Sequence, residues 1–490
     1  MYFSRVYDEA LAQASYIVAC QRTGEALVVD PRRDVGVYLA EAARQGLTIG
    51  AVAETHIHAD YLSGAGELAS ATGAQLYLSE EGGEAWRYAF DHTGLRHGDK
   101  IRIGNITVEA IHTPGHTPEH LSFLVTDGAR ASEPVLLLTG DFVFIGDLGR
   151  PDLLDAVAGG NDSRFVGAGQ MLASLRDSFL TLPDHLQVWP GHGAGSACGK
   201  ALGAVASTTV GYERRFAWWS SYLRRGDETR FIDALLEGQP DAPLYFGRMK
   251  RQNREGPALL GERPVLEQFS AQAAARAIER GATLIDTRPA RAYARSAVPG
   301  SLHLPEGTSF ATWAAWLIDP ERLDGPLILY ASDQGKAHAL RDQLSRVGID
   351  RVAGFVGSLD GLVQHPHEQI SVADLAGLPS PVYLDVRTAN EHVAGHLPGA
   401  KQIHAGRLIK HLDELPRDRP LVVYCQSGNR SAAAASALRA SGFDNVYDLA
   451  GGYQSWWTRQ DPVAAKRRKA AARNPAPHVA NPAGLAKESS

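Results

Sequence analysis

Over roughly the first 240 residues, short runs of aliphatic and β-branched side chains alternate with helix-period segments, and chemistry-bearing residues fall just after the runs. Thr48–Ala53 leads into His56 and His58, Ile106–Ile111 into His116, Val135–Leu138 into Asp141, and Leu186–Trp189 into His192. Loops at strand ends are where a rigid sheet presents reactive groups, so the pattern predicts an α/β domain built around such loops. Another β-type run, Tyr16–Cys20, places Cys20 in a core. Arg214–Glu237 reads as helices, and the Pro/Gly-punctuated stretch Gly238–Pro264 closes the domain, giving it residues 1–260.

The remainder repeats. Leu284-Ile-Asp-Thr-Arg288 with Val298-Pro-Gly300 returns 99 residues later as Tyr383-Leu-Asp-Val-Arg387 with Leu397-Pro-Gly399. Leu327-Ile-Leu-Tyr330 returns 94 residues later as Leu421-Val-Val-Tyr424, so two related α/β domains, 265–365 and 368–463, are expected. From 464 to 490 the chain is rich in Ala, Pro, Lys and Arg with no apolar period, and reads as a disordered basic tail.

Composition narrows the function. With 490 residues, 44% hydrophobic and 21% charged, the chain can build several cores. A net charge of −6 recruits neither nucleic acid nor an anionic membrane, so a small-molecule substrate is expected. Three scattered cysteines, Cys20, Cys198 and Cys425, form no disulfide framework. The N-terminus lacks an apolar export segment, and no run approaches a membrane span. A cytoplasmic protein is expected, with a homo-oligomer left open.

Thr55-His-Ile-His-Ala-Asp60 puts His56 and His58 on one side of an extended segment. Alone, such a pair is a weak sign, since either ring could be hydrogen-bonded structure. Thr113-Pro-Gly-His-Thr117 and Leu138-Thr-Gly-Asp141 add a ligand-type side chain each at a glycine-bearing turn, and imidazole with carboxylate suits zinc or iron. The series resembles the metallo-β-lactamase superfamily, with Tyr61 standing where two-metal members carry histidine. Within it, Pro114-Gly-His-Thr-Pro118 and Gly149-Arg-Pro-Asp152 resemble persulfide dioxygenases. That resemblance implies one Fe(II) per chain held by His56, His116 and Asp141, with His58, Asp60 and Tyr61 around the ligands. It also implies that Arg150 holds an anionic persulfide or a carrier's carboxylate; a structural ion pair is the other reading. His192 is expected to be structural or to face substrate, Cys198 to be a buried thiol or to face the pocket, and His120 to be a hydrogen-bonded residue.

In the last domain, Val422-Val-Tyr-Cys-Gln-Ser-Gly-Asn-Arg-Ser431 reads as strand, tight loop and alanine-rich helix. Successive loop N–H groups and the helix N-terminus make an anion cradle for Cys425, to which Arg430 adds a positive charge. With Asp385-Val-Arg387 and Gly395-His-Leu-Pro-Gly-Ala400, the segment resembles rhodanese sulfurtransferases. The resemblance implies Cys425 as nucleophile, with Gln426, Ser427, Gly428, Asn429 and Arg430 around its substrate. The middle domain has Ala331 at the matching position and should be catalytically silent.

The fold expected is therefore α/β: a metallo-β-lactamase αββα sandwich followed by two rhodanese-like domains. The function expected is iron-dependent oxidation of a low-molecular-weight persulfide by O2 to sulfite, coupled to sulfur transfer giving thiosulfate. The rivals are a thioester hydrolase resembling glyoxalase II and a sulfur carrier with a scaffold metal domain.

Overall fold

The computed structural model describes residues 1–158, 163–200 and 202–460; the tail expected from 464 lies outside them. The N-terminal part forms two six-stranded sheets. In the first, β1 (Tyr2–Asp8), β2 (Gln13–Ala19), β3 (Glu25–Val29), β4 (Thr48–Ala53), β5 (Gln75–Ser79) and β6 (Thr93–Leu95) lie side by side in chain order. In the second, β7 (Lys100–Ile103), β8 (Ile106–His112), β9 (Leu121–Asp127), β10 (Leu136–Gly140), β11 (Gln187–Pro190) and β12 (Thr208–Thr209) do the same.

Strand burial follows the layers. β8 buries alternate residues Ile106, Val108 and Ala110, as period-two geometry requires of a sheet with one face in a core. β2 is buried on both faces: Tyr16 and Val18 enter the core between the sheets, while Ile17 and Ala19 face the helices outside. Tyr38 and Leu68 on helices Gly36–Gln45 and Ala65–Thr72 cover the first sheet, and Met171 and Leu175 on Ser163–Asp177 cover the second. This is the αββα sandwich expected. β3 is parallel to β4 and β10 to β11, and β8 runs in the same sense as β10 through the antiparallel β9. The residues following these five strands therefore meet at one edge.

Two five-stranded parallel sheets follow. The middle domain comprises β13 (Glu267–Gln268), β14 (Thr283–Asp286), β15 (Leu302–His303), β16 (Leu327–Tyr330) and β17 (Val352–Val356), ordered β13-β17-β16-β14-β15. The last comprises β18 (Gln369–Ile370), β19 (Val382–Asp385), β20 (Lys401–Gln402), β21 (Leu421–Tyr424) and β22 (Val446–Leu449), ordered β18-β22-β21-β19-β20. The sequence repeat is thus a repeat of topology.

Each repeat docks backwards through the same helix. In the middle domain it is Gln334–Arg346: Arg346 bonds Asp8 at 2.6 Å and Asp34 at 2.8 Å, while Leu340 and Leu344 share a core with Tyr61 and Leu62. In the last domain it is Asn429–Ala440, whose Ala434, Ala435 and Leu438 face its own sheet. Ala433 and Ala437 of that helix enter the core of the middle domain, and Ser436 Oγ accepts from the His303 N–H. Small side chains let one helix serve two cores at close approach. The stretch read as punctuation contains a helix, Phe246–Glu255, which buries Phe246 and Met249 in the first of these interfaces. Its buried positions fall on one face, but only Phe246 and Met249 among them are large and apolar, and the flanking prolines and glycines obscure so short a pattern.

Candidate functional site

Asp30, His56, His116, Asp141 and His192 follow β3, β4, β8, β10 and β11 and converge. Gly140 makes the turn into Asp141 with φ +49°, where a Cβ would lie 2.6 Å from Thr55 Oγ1, so only glycine fits. Asp141 Oδ2 stands 3.6 Å from His116 Nε2 and 4.0 Å from His56 Nε2, is fully buried, and has no hydrogen-bond partner. Those separations are too long for hydrogen bonds. They approach the roughly 3.0–3.5 Å expected between ligand atoms sharing an ion at about 2.0–2.2 Å.

The surroundings fix the rings for ligation. Thr55 Oγ1 donates to Asp30 and thus accepts from His56 Nδ1 at 2.9 Å, while His116 Nδ1 donates to the Arg150 carbonyl at 3.2 Å. Both Nε2 lone pairs are left facing Asp141. Burial, and for His56 also the charge on His58, lowers the pKa of both rings, so both are neutral. Burial would raise the Asp141 carboxyl, but the adjoining His192 more than offsets it and holds the group well below the usual carboxylate range. The donor set fits a single cation with open positions, the two-histidine, one-carboxylate arrangement associated with non-haem Fe(II).

His192 bridges two carboxylates, Nδ1 to Asp141 Oδ1 and Nε2 to Asp60 Oδ2, each at 2.8 Å. Burial opposes its charge, yet the two carboxylates raise it to about 10. It orients Asp141 rather than facing substrate. Cys198 lies beside this pair, its ligand atom within 4.8 Å of theirs, and burial pushes its thiol well above the ordinary value. His58 turns away from the triad, 3.0 Å from Glu54 and 3.3 Å from Asp30, whose carboxylates outweigh burial and keep it protonated. Tyr61 is fully buried, packs its ring against His58 at a tilt of 37° with centroids 4.5 Å apart, and accepts a hydrogen bond from Gln13 at 3.2 Å. His120 is hydrogen-bonded structure, accepting the Asp141 N–H at 3.1 Å.

Arg150 departs from the substrate-binding expectation. Its guanidinium is wholly buried, paired with Asp152 and donating to the carbonyls of Ala197 and Pro240. It fastens the Cys198 loop and the chain leaving the sandwich to the His116 turn. Sequence reasoning passed over Asp30 and Glu54. Asp30 follows the run Ala26–Val29 as the other site residues follow theirs, and it adopts φ +53° while accepting the Thr55 N–H at 2.6 Å.

The second centre lies after β21. Cys425 is buried, and the Gly428 N–H donates to its Sγ at 3.2 Å. Gly428, at φ +107°, stands at the N-terminus of Asn429–Ala440 and leaves that end without a side-chain cap. Gln426, Ser427 and Asn429 are exposed around the sulfur, with the Gln426 amide oxygen held by Arg387 at 3.2 Å. Arg430 is locked to Glu391 at 2.7 and 2.8 Å, which with the Thr388 cap offsets burial and pulls Glu391 down to about 2. At the corresponding place after β16 stands Ala331, and the Asp333 carboxylate caps the helix by accepting the Lys336 N–H at 2.8 Å. Cys20 is buried in the core between the sheets. No helix among the described residues is long and apolar enough to cross a membrane.

A model described as the metallo-beta-lactamase superfamily matches residues 9–192, and one described as the rhodanese-like domain matches 270–365 and 370–459. A crystal structure of a metallo-beta-lactamase from Staphylococcus aureus is 39% identical with a TM-score of 0.65, over 73% of this chain and 99% of that one. An uncharacterized protein of Mycobacterium leprae is 32% identical over 43% of this chain and 94% of its own length. A hydroxyacylglutathione hydrolase of Polaromonas is 33% identical over 36% of this chain; the chain spans 61% of that relative.

Proposed function

Since the chain belongs to the metallo-beta-lactamase superfamily and carries two rhodanese-like domains, we propose that it oxidises a low-molecular-weight persulfide with O2 and passes sulfane sulfur through Cys425. The observation that carries this reading is the unpartnered Asp141 Oδ2 facing two histidine lone pairs. Beside it, Tyr61 replaces a second nitrogen ligand and His192 is clamped between Asp60 and Asp141. Fe(II), one per chain, would be held by His56, His116 and Asp141 and would supply the activation of dioxygen. Thr55 and the Arg150 carbonyl keep the two rings turned toward it, and His192 holds Asp141 ionised. The overall change is persulfide, O2 and water to thiol, sulfite and two protons.

At the other centre, the Cys425 thiolate attacks the outer sulfur of a persulfide and releases the thiol. Sulfite then attacks that outer sulfur, the S–S bond breaks with its electron pair returning to Cys425, and thiosulfate leaves. Ala331 cannot form the intermediate, so the middle domain is catalytically silent. Anaerobic metal analysis followed by oxygen-electrode assays with several persulfides tests the reading, with one iron per chain and persulfide-dependent uptake expected. His116→Ala should lose the iron and the uptake while keeping sulfur transfer from thiosulfate to cyanide.

One observation favours a thioester hydrolase instead. Asp60, His192 and Cys198 offer a second set of ligand atoms within 4.8 Å, and the Polaromonas relative is a hydroxyacylglutathione hydrolase. Two zinc ions per chain with thioester cleavage would establish that alternative. Sulfur transfer without oxygen uptake would leave a carrier protein.

A further inference from the structure

Beneath the Cys425 loop lies a buried ionisable group that the sulfur-transfer steps do not use. Asp448, on β22, is fully buried. Its Oδ1 accepts from the Ser431 hydroxyl at 2.6 Å and its Oδ2 from the Gln369 amide at 3.0 Å. Ser431 belongs to the first turn of the helix Asn429–Ala440, and its Oγ also stands 3.2 Å from the Gly428 carbonyl. Gly428 in turn donates its N–H to Cys425 Sγ at 3.2 Å. One chain of contacts thus runs from the carboxyl through Ser431 and Gly428 to the sulfur.

The middle domain is an internal control for what the fold requires. Val423 pairs with Asp448 as Leu329, its counterpart in the repeat, pairs with Phe355, and Ser431 corresponds to Ala337. Phe355 and Ala337 lie buried in one apolar core. The same topology therefore closes over a phenyl ring and a methyl group, and apolar groups of fitting shape commonly hold a core as well as a buried polar pair does. The scaffold alone does not call for Asp448. Burial raises its pKa to about 6, so at neutral pH the folded chain keeps a carboxylate away from water, at a cost. At these positions the copy with the cysteine carries both carboxyl and hydroxyl, and the copy without it carries neither.

We propose that Asp448 is a positioning residue for sulfur transfer, setting through Ser431 how firmly the Gly428 end of the loop holds an anion, a role that rests on the transfer function of Cys425 proposed above. Ser431 has one proton and two acceptors. An ionised Asp448 takes that proton, because the charge-assisted bond is the stronger. Since Gln369 donates to Oδ2, a neutral Asp448 carries its own proton on Oδ1 and donates to Ser431, whose hydroxyl then turns to the Gly428 carbonyl. That carbonyl shares a peptide with the Asn429 N–H, one of the first helical donors, which have no partner within the helix. Polarising the carbonyl strengthens the N–H toward a bound thiosulfate or persulfide. A neutral Asp448 also leaves the positive helix end to the substrate. Among the described residues no charged side chain bonds Asp448. Arg430 and Arg439 of the facing helix pair with Glu391 and Glu368 respectively, Tyr424 of β21 bonds Asp385, and Arg459 lies at the far end of the helix Gly452–Gln460. Cys425 is the ionisable group that the relay reaches.

Transfer from thiosulfate to cyanide by the full chain tests this, measured from below to well above pH 6, with kcat/KM for thiosulfate reporting the first half-reaction alone. Asp448→Asn keeps the shape, donates to Ser431 from its amide at every pH and so copies the neutral acid. Its kcat/KM should match wild type in acid and exceed it, chiefly through KM, by about three- to tenfold at higher pH, the worth of one hydrogen bond. Ser431→Ala takes the residue of the middle copy and breaks the relay, so adding Asp448→Asn to it should change kcat/KM at no pH. A carboxyl raised on folding subtracts stability as pH rises from 3.8 to about 6, so Asp448→Asn should melt no lower than wild type above that range. A ratio of Asp448→Asn to wild type that does not vary with pH, a gain that persists in the Ser431→Ala background, or a lower melting temperature overturns the positioning role and leaves the transfer function of Cys425 standing. Absence of thiosulfate-to-cyanide transfer in the wild-type chain overturns that function, and the positioning role with it.

Discussion

The middle and last domains share a sheet order and differ at the loop that matters. Both keep the aspartate–arginine brace after the second strand: Arg288 bonds Asp286 at 2.6 Å, and Arg387 bonds Asp385 at 2.7 Å. After β16, however, comes Ala331 and a helix whose N-terminus is already filled by its own Asp333. After β21 comes Cys425 and a helix entered through a glycine at positive φ, which leaves the end open to an incoming anion. The brace belongs to the scaffold and survives in both copies. Nucleophile and open helix end are absent together, as expected if the two act jointly on one substrate.

The strongest test of this contrast is Cys425→Ala. Sulfur transfer from thiosulfate to cyanide should fall to background while oxygen uptake stays near wild type, and the product of persulfide turnover should shift from thiosulfate to sulfite. Thiosulfate remaining the main product, after subtraction of the uncatalysed reaction, would remove the last domain from the pathway. Serine should substitute as poorly, because the thiolate is the reacting form.

The next concerns docking. The middle domain meets the sandwich through a buried cation and the last meets the middle through alanines; Arg346→Ala leaves Asp8 and Asp34 with Arg32 as their remaining cation and should cost about 1.5–3 kcal/mol. Urea denaturation with limited proteolysis between the sandwich and the middle domain would register it. An unchanged midpoint would mean that the apolar contacts alone hold the joint.

A smaller effect separates the two loop ion pairs. Glu391 is held at about 2 against 4.5 when unfolded, so its contribution is present above pH 4.5 and is lost as pH falls toward 2. Discounted for partial exposure, Glu391→Gln should cost about 1–2 kcal/mol at pH 7, with the gap to wild type closing in acid. In the middle domain Lys336 stands where Arg430 does and pairs with a different partner, the solvent-exposed Glu306, and Glu306→Gln should leave the melting temperature unchanged. The smallest expected effect is that of Ala331→Cys, which should form no persulfide detectable by mass spectrometry while Asp333 fills the helix end. Adding Asp333→Gly should bring one into view; persulfide in the single variant would show that the cap is no barrier.

The two parallel-sheet repeats and the strand-end placement of His56, His116 and Asp141 were legible because repeats, strand ends and glycine turns are local signals, whereas the αββα sandwich and the choice of those three over His58 came from the family resemblance. What escaped depended on distant partners. Glu54 and Asp30 look ordinary in the sequence and acquire meaning only where they embrace His58. Arg150 resembles an anion-binding arginine until Ala197 and Pro240, far along the chain, occupy its donors. The helix Phe246–Glu255 carries only two apolar core residues, three apart on one face, among charged ones, and it follows a Pro/Gly-rich stretch that reads as a domain end.

The alanine-rich helix Asn429–Ala440 has a consequence for how freely this chain can vary. Successive residues are read by different cores, Ala434, Ala435 and Leu438 by the domain that contains them and Ala433 and Ala437 by the domain before it. A methyl group meets both demands because it adds almost no volume on either side and has no rotamer to choose. Each position is thus specified twice, and a residue acceptable to one reader has only a chance overlap with what the other accepts. The helix that carries the cradle is therefore also the stretch with the least room for drift, and a change made there to tune the chemistry is answered by the joint.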